Sequence, residues 1–587
     1  MWSKFRKGKK LNFGLILILI FFAWLIFSFL IWPNLSVLRE TFVKDGSIST
    51  RAIEKVSKSK CALTGITNSF MIGIVLSFTV NIVGIFIVLI TEYYKVWGAK
   101  ILRIAFMSTL VFGGLLLNNG YLLVYGQNGI VTNMLNGIIP NFNKGWFIGA
   151  PAVIFVMTFA CTSNHMLFFR NAVKSIDFQT IQAAENLGAD QWTILTKVVL
   201  PQFKPTLTTL TVMAFQTGLG AMAAPLMVGG EGFRTISPLI LDFAKRVSSR
   251  DIAAVLALLL GISQMILLMI MTRNERRGSY LSISKTKTKI EKVKIHNPLV
   301  NTIVHILAWL LFVIYSLPIF MVVLFSFMPY TQIAKGVIDL SKFTFENYAK
   351  VLGDASVLKP FITSVIYSGL ASFTTVFLMI VVAWIVTKYK TRIALILEYA
   401  FYIPWLVPSL FIALGLILGY SQGWPWLFNN VLVGSLIILL IAYIINTMPS
   451  TLRYIKSSLL SLDPNLENAS RNLGASSFRT LVKVIVPVIL PTALALFALN
   501  FNGLLADYDL SAFLYHPTAE TLGIMIRKNA DPMASVDARA INLVYSVVLM
   551  IISTIVMYLV YGRGFDRKKK SKISKIDEKE VIQKMEM

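Results

Sequence analysis

Asp507, Tyr508 and Asp509 place two carboxylates and a phenol at consecutive positions beside an apolar stretch. Hard oxygen donors of this kind suit a cation such as Fe³⁺, so a metal pathway is one reading of them. The competing role is to anchor a helix end or loop, because neighbouring positions along a helix do not point at one centre. Gln216 and Asn502 stand 286 residues apart in two further apolar stretches. An amide in hydrocarbon either lines a water-filled path or bonds a neighbouring helix. His165 is isolated among apolar residues and reads as a packing residue, while Glu398 reads as a carboxylate that pairs or snorkels near a membrane face. Cys61 and Cys161 are the only cysteines, and Cys161 lies in an apolar stretch, so neither a disulfide framework nor a thiolate metal site is expected. The sequence has no nucleophile–base–acid constellation, no metal-ligand spacing and no Gly-x4-Gly-Lys-Ser/Thr phosphate loop. Catalytic, metal and cofactor-binding residues are therefore expected to be absent from this chain.

The elements that must position these residues are membrane helices. Of 587 residues, 56% are hydrophobic and 14% charged, which excludes a soluble multidomain enzyme. About 20 apolar residues span a bilayer as a helix, since the segment must satisfy its own backbone groups. Twelve such stretches are predicted, near 11–32, 63–91, 101–125, 146–169, 206–229 and 252–272, then 298–328, 361–387, 393–419, 430–449, 489–513 and 541–561. The first reads as a retained signal anchor. The fold class is thus an all-α membrane protein in two parallel six-helix repeats.

The net charge of +27 sits in short segments between spans and at the two ends, as topology selection places it, and does not point to nucleic acid. The basic start, the linker 273–297 and the tail 562–587 are all expected on the cytoplasmic side, next to anionic lipid. The loop 33–62, assigned outside, fits less well because it carries Arg39, Lys44, Arg51, Lys55, Lys58 and Lys60. The units are then 1–272 and 298–561, each with a cytoplasmic insert between its fourth and fifth spans, at 170–205 and 450–490.

The two inserts share one ruler. Gln182-Ala183-Ala184-Glu185-Asn186-Leu187-Gly188-Ala189 returns 286 residues later as Asn468-Ala469-Ser470-Arg471-Asn472-Leu473-Gly474-Ala475. Asp177 meets Asp463, Lys197 meets Lys483 and Pro205 meets Pro491 at the same offset. Each insert reads as two short helices around a glycine, Ser175–Leu187 then Ala189–Val199, and Ser461–Leu473 then Ala475–Val486. Gly188 and Gly474 reach the left-handed backbone that ends the first helix. Asp177 and Asp463 sit near its start, where a carboxylate accepts unpaired N–H groups. Pro201 and Pro487, each 13 residues past the glycine, are expected to stop or kink the chain. A helix lying on lipid needs no fixed glycine-to-proline interval, so a protein-docking element is the better reading.

This pattern resembles the permease subunits of binding-protein-dependent ABC importers, whose cytoplasmic signature is Glu-Ala-Ala, three residues, Gly, nine residues, Ile, any residue, Leu-Pro. Ala183, Ala184, Gly188, Val198, Leu200 and Pro201 match it, with Gln182 in place of Glu. Ala469, Gly474, Val484 and Pro487 match in the second copy, where Asn468, Ser470 and Val486 depart. The resemblance covers essentially the whole chain. It implies an importer permease of a bacterial inner or plasma membrane, with each insert acting as a coupling helix. Its implied partners are two ABC ATPase subunits, which would hold ATP and Mg, and an extracytoplasmic substrate-binding protein. The fused layout is similar to ferric-iron permeases, so ferric iron is the expected cargo, with thiamine, an organophosphonate or a polyamine as alternatives. An ion-coupled secondary transporter of six plus six helices is the competing class, and it would not predict the insert twice.

Overall fold

A computed structural model describes residues 13–559 apart from 45, 111, 113, 174–177, 278–291, 390, 463, 532–533 and 536. The fold is all-α: among the described residues the only strand pairing is a two-residue hairpin with Val43 opposite Ile48, besides two isolated bridges. In chain order the helices that build the frame are α1 (Phe13–Phe42), α2 (Lys60–Tyr93), α3 (Ala99–Met107), α4 (Gly114–Tyr125), α5 (Ala150–Phe169), α6 (Phe178–Asn186), α7 (Lys204–Leu219) and α8 (Arg250–Arg277). The second half follows as α9 (Pro298–Ser326), α10 (Ala355–Lys388), α11 (Arg392–Tyr402), α12 (Ser409–Tyr420), α13 (Ile437–Leu460), α14 (Pro464–Asn472), α15 (Ser477–Leu505) and α16 (Ala538–Met557).

Among the described residues nine helices are long and apolar enough to cross a membrane, and the pair Arg392–Trp405 and Ser409–Tyr420, bent by 103°, brings the number to ten if it counts as one span. Three of the twelve predicted stretches are therefore not straight spans. The stretch 393–419 breaks at Pro404 and Pro408, where proline removes a donor and blocks the preceding turn. The stretch 101–125 divides into α3 and α4, and 206–229 into α7 and the short helix Ala223–Val228 after Gly220. The first span is longer than predicted: α1 continues to Phe42, so ten residues of the supposed outer loop are helix. A wide π-helical turn at Ile26–Ile31 precedes Pro33, and proline at the start of the following α-helical segment lacks a donor where little is lost.

The hydrophobic cores cross the boundary between halves. Leu15, Phe22, Leu25 and Leu30 of α1 share a core with residues of α10, α12, α13 and α15. Ala308, Tyr315 and Phe325 of α9 share one with α2 to α5. Each half thus places its first helix in the other. At the first contact Trp32 Nε1 donates to the Gly419 carbonyl at 3.1 Å and the Tyr420 hydroxyl donates to the Ser28 carbonyl. At the second, Tyr315 bonds Thr162 and the Pro318 carbonyl lies 2.9 Å from where a Gly120 Cβ would stand.

Polar residues inside the bundle are stitched to each other. Thr79 bonds Thr158 at 2.7 Å, Asn81 donates to Thr211 at 2.9 Å, and His165 Nε2 meets Asn81 Oδ1 at 3.0 Å, joining α2, α5 and α7. His165 is buried in this network, as a packing role requires. Glu398 is ion-paired with Lys456.

A Cβ on Gly415 would stand 2.9 Å from the Pro33 carbonyl, whereas one on Gly369 meets nothing within 4 Å. Gly415→Ala is expected to destabilise the protein by about 1–3 kcal/mol through overpacking, seen as a lower thermal midpoint in detergent. Gly369→Ala should leave that midpoint unchanged or raise it.

Candidate functional site

The two inserts share their order of elements on the 286-residue ruler as far as the π turn that follows the second short helix. Helix α6 spans Phe178–Asn186 and α14 spans Pro464–Asn472 among the described residues. Asp177 and Asp463 lie outside the described residues. Gly188 has φ +81° and Gly474 φ +78°, and no atom crowds either position, so backbone conformation alone calls for glycine there. The Ala189 N–H reaches back to the Ala184 carbonyl at 3.1 Å, and the Ala475 N–H to that of Ser470 at 3.1 Å. This six-to-one bond closes the helix end in a Schellman turn.

A second pair of equivalent residues then restarts the helix. Asp190 accepts from the N–H of Trp192 at 3.2 Å and of Thr193 at 3.4 Å, and Ser476 accepts from that of Arg479 at 3.3 Å. The Thr193 side chain also bonds Asp190, and these bonds hold its carboxyl below the usual carboxylate range. Sequence reasoning passed over these caps, although a good N-cap residue two positions after each glycine is visible in the sequence. Beyond them the helix widens into π turns at Ile194–Val199 and Leu481–Ile485. Pro201 and Pro487 follow, with different outcomes: in the second copy Ser477–Leu505 is one span, whereas in the first the helix breaks at Phe203 between Leu200–Gln202 and Lys204–Leu219. The wide turn shifts the hydrogen-bond register just where proline lacks its donor.

The turn between the helices presents large apolar side chains to the outside. Leu187 and Leu473 are each 88% exposed, and Trp192 and Phe478 are 70% and 71% exposed. Gln182, Ala183, Asn468 and Ala469 are exposed beside them. The opposite face is buried through Ile181, Ile194 and Val199 in the first copy and Thr480, Leu481 and Ile485 in the second. Ala184, Leu200 and Val486 are half-buried, and Pro201 and Pro487 are exposed. Each exposed large side chain forgoes about 1.5–3 kcal/mol of burial, at the same places in both copies.

Both inserts are tied to the spans by ion pairs. Arg170, in the last turn leading to the first insert, meets Glu92 at 2.7 Å, and Arg103 meets the same carboxylate at 3.4 Å. Its equivalent Lys456 is held by Glu398. Glu467 of α14 pairs with Lys388 at the end of α10 at 3.4 Å.

A cavity of about 430 Å³ lies between the halves, lined by Gln216, Thr217 and Gln264 from the first and by Asn446, Ser450, Asp507 and Asp509 from the second. Three of the four polar residues singled out from sequence therefore converge. Asn502 does not line it and donates instead to the Ser553 carbonyl at 3.4 Å. Asp507 accepts from the N–H groups of Leu510 and Ser511, both at 3.1 Å, so one of its oxygens anchors the loop. Among the described residues no cluster of three or more His, Cys, Asp or Glu could hold a metal ion. Gln264 and Asn446 escaped the sequence reading, although an amide within a span is itself the signal. A second cavity of about 740 Å³ opens at the opposite end of the spans from the inserts, with Lys144, Glu231, Arg234, Asp242, Arg527 and Arg539 in its wall.

Residues 376–570 match the family described as the binding-protein-dependent transport system inner membrane component. A probable ABC transporter permease, y4fN of Sinorhizobium fredii, is 36% identical over 92% of this chain and 95% of its own length. A putative ferric transport system permease, FbpB 1 of Haemophilus influenzae, is 22% identical over 85% of this chain and 77% of its own. The spermidine/putrescine transport system permease PotC of Escherichia coli is 31% identical over 20% of this chain and 46% of its own.

The two caps differ in their response to acid. A carboxyl held below its unfolded value stabilises the fold above that value, and the contribution is lost as pH falls through the folded one. Acidification below the carboxylate range is therefore expected to speed amide exchange at Trp192 and Thr193, corrected for intrinsic rates, and to leave Arg479 unchanged, since Ser476 does not titrate. Asp190→Ala should give the same local effect at neutral pH.

Proposed function

Because this chain belongs to the binding-protein-dependent ABC transporter permeases, we propose that its two inserts are coupling helices, each seated on a separate ATPase subunit. The chain is a multi-pass membrane transport subunit, and its family works with an ATPase and a substrate-binding protein. The observation that carries the docking reading is the matched exposure of Leu187 and Trp192 with Leu473 and Phe478 around two left-handed glycines. Burying such a ridge in a groove of the partner recovers the apolar contact it lacks in this chain, and the polar Gln182 and Asn468 would lie at the rim.

Closure of the two ATPase subunits around ATP and Mg would draw the inserts together. The ion pairs at Arg170 and Lys456 carry that motion into the spans, where the halves turn as rigid bodies about the cavity between them. Substrate delivered by an extracytoplasmic binding protein would pass the outer cavity and then the inner one, with both chain termini on the cytoplasmic side.

For cargo we favour ferric iron. Two of the relatives that span most of the chain are named as ferric transport permeases, at 22% and 21% identity. Asp507 and Asp509 in the inner cavity offer hard oxygen atoms suited to such a cation. Uptake of radiolabelled ferric iron, thiamine, an organophosphonate and putrescine, each with the cognate binding protein, decides among these cargos. Accumulation of any of the other three in place of iron would exclude the ferric reading.

Placing a charge on the docking ridge tests the inserts. Trp192→Asp with Phe478→Asp is expected to lower co-purification of the ATPase at least tenfold, the equivalent of about 1.4 kcal/mol, while the protein stays in the membrane. ATPase retained at full stoichiometry would refute the docking reading. Gly188→Pro and Gly474→Pro remove the left-handed turn, so ATP hydrolysis should continue without uptake.

A further inference from the structure

The linker between the halves does not simply cross the cytoplasmic face. Its last residues, Lys292 to Asn297, are non-helical and bond to the first half. Val293 pairs with the chain after α2: Lys95 N–H donates to the Val293 carbonyl at 2.9 Å, and Val293 N–H donates to the Tyr93 carbonyl at 3.0 Å. The Lys292 ammonium donates to the Thr91 carbonyl at 2.6 Å. The next contact is with the insert itself. Gln191 donates through Nε2 to the Lys294 carbonyl at 2.6 Å and accepts through Oε1 from the His296 N–H at 3.2 Å. One side-chain amide thereby copies the donor–acceptor pair of a β-ladder rung against backbone two residues apart.

Immediately beyond this clamp Asn297 caps α9, accepting from the N–H of Leu299 at 2.9 Å and of Val300 at 3.3 Å. Helix α9 is the one that the second half places in the first-half core. The path from insert to a helix of the other half is therefore a few residues of hydrogen-bonded backbone. On the 286-residue ruler Ser477 stands where Gln191 does, and its hydroxyl cannot span the same two backbone groups.

We propose that Gln191 is a positioning residue that fastens the linker to the first insert, so that movement of this insert is passed directly to α9. The inference rests on reading the inserts as coupling helices. It gives the first insert a hydrogen-bonded connection to α9 of the second half, for which Ser477 offers no counterpart in the second insert.

The test uses the assembled transporter in proteoliposomes, with uptake and ATP hydrolysis measured together. Gln191→Ala is expected to keep the ATPase bound and to lower uptake per ATP hydrolysed about fivefold, the equivalent of one net hydrogen bond. Gln191→Glu, which keeps the acceptor but sets an oxygen against the Lys294 carbonyl, should fall as far. Ser477→Ala should change nothing. Trypsin cleavage after Lys292 and Lys294, identified by fragment mass, should quicken in both Gln191 variants even if one transports poorly for other reasons. Unchanged uptake per ATP, or unchanged cleavage, would overturn the clamp and leave the docking reading intact. Loss of the ATPase from Gln191→Ala would also overturn it, because the residue would then act in docking. Failure of the docking reading itself is reported separately by the Trp192→Asp and Phe478→Asp variants.

Discussion

The exchange of first helices holds the two halves together. At Gly415 the Pro33 carbonyl comes so close that a methyl group would have no room, and the Tyr420 hydroxyl bonds the Ser28 carbonyl inside a buried contact. In hydrocarbon there is no hydrophobic gain from pressing apolar helices together, so close backbone approach and interhelical hydrogen bonds must supply the attraction. Both are present at this crossing and at the reciprocal one between α9 and the first half. Since each half carries a piece of the other, the halves are interlocked through shared cores.

The inserts inherit their precision from that frame. Each leaves a span whose last turn is pinned by an ion pair, to Glu92 in one half and to Glu398 in the other. The carboxylates come from different elements, yet they hold basic residues on the same ruler. Divergence within the inserts is compensated in the same way. Where the first copy has half-buried Ala184 and buried Ile194, the second has Ser470 bonded to Thr480 at 2.9 Å. Where the first copy buries Ile181, the second sets Glu467 against Lys388. Ser470, a departure from the family signature, is thus one member of a satisfied polar pair; alone in that buried place its hydroxyl would be costly.

Much of the frame was legible before any coordinates. Apolar runs of the right length located the spans, and Gly188 with Gly474 located both helix ends, because a left-handed residue is written in the sequence as glycine. Misreadings came where one rule met another. The prolines at 201 and 487 were expected to stop or kink the chain; the helix breaks just after the first, at Phe203, and behind a π turn it runs on through the second. A long apolar run at 393–419 was read as one spanning stretch, and the chain bends sharply at two prolines within it. Of the four candidate polar residues, Gln216, Asp507 and Asp509 meet in one cavity, whereas Asn502, despite its matched position, bonds α16.

By itself the sequence determined the duplication, the membrane class and the helix–glycine–helix form of both inserts, since these follow from local rules of period, length and backbone freedom. Only the tertiary structure decided which apolar faces are buried against protein and which stay exposed, for a leucine reads the same in either place. It alone joined residues as distant as Trp32 and Gly419, set Thr480 beside Ser470, and carried the linker across Gln191. Those contacts depend on how whole surfaces fit, and no spacing along one chain records that fit.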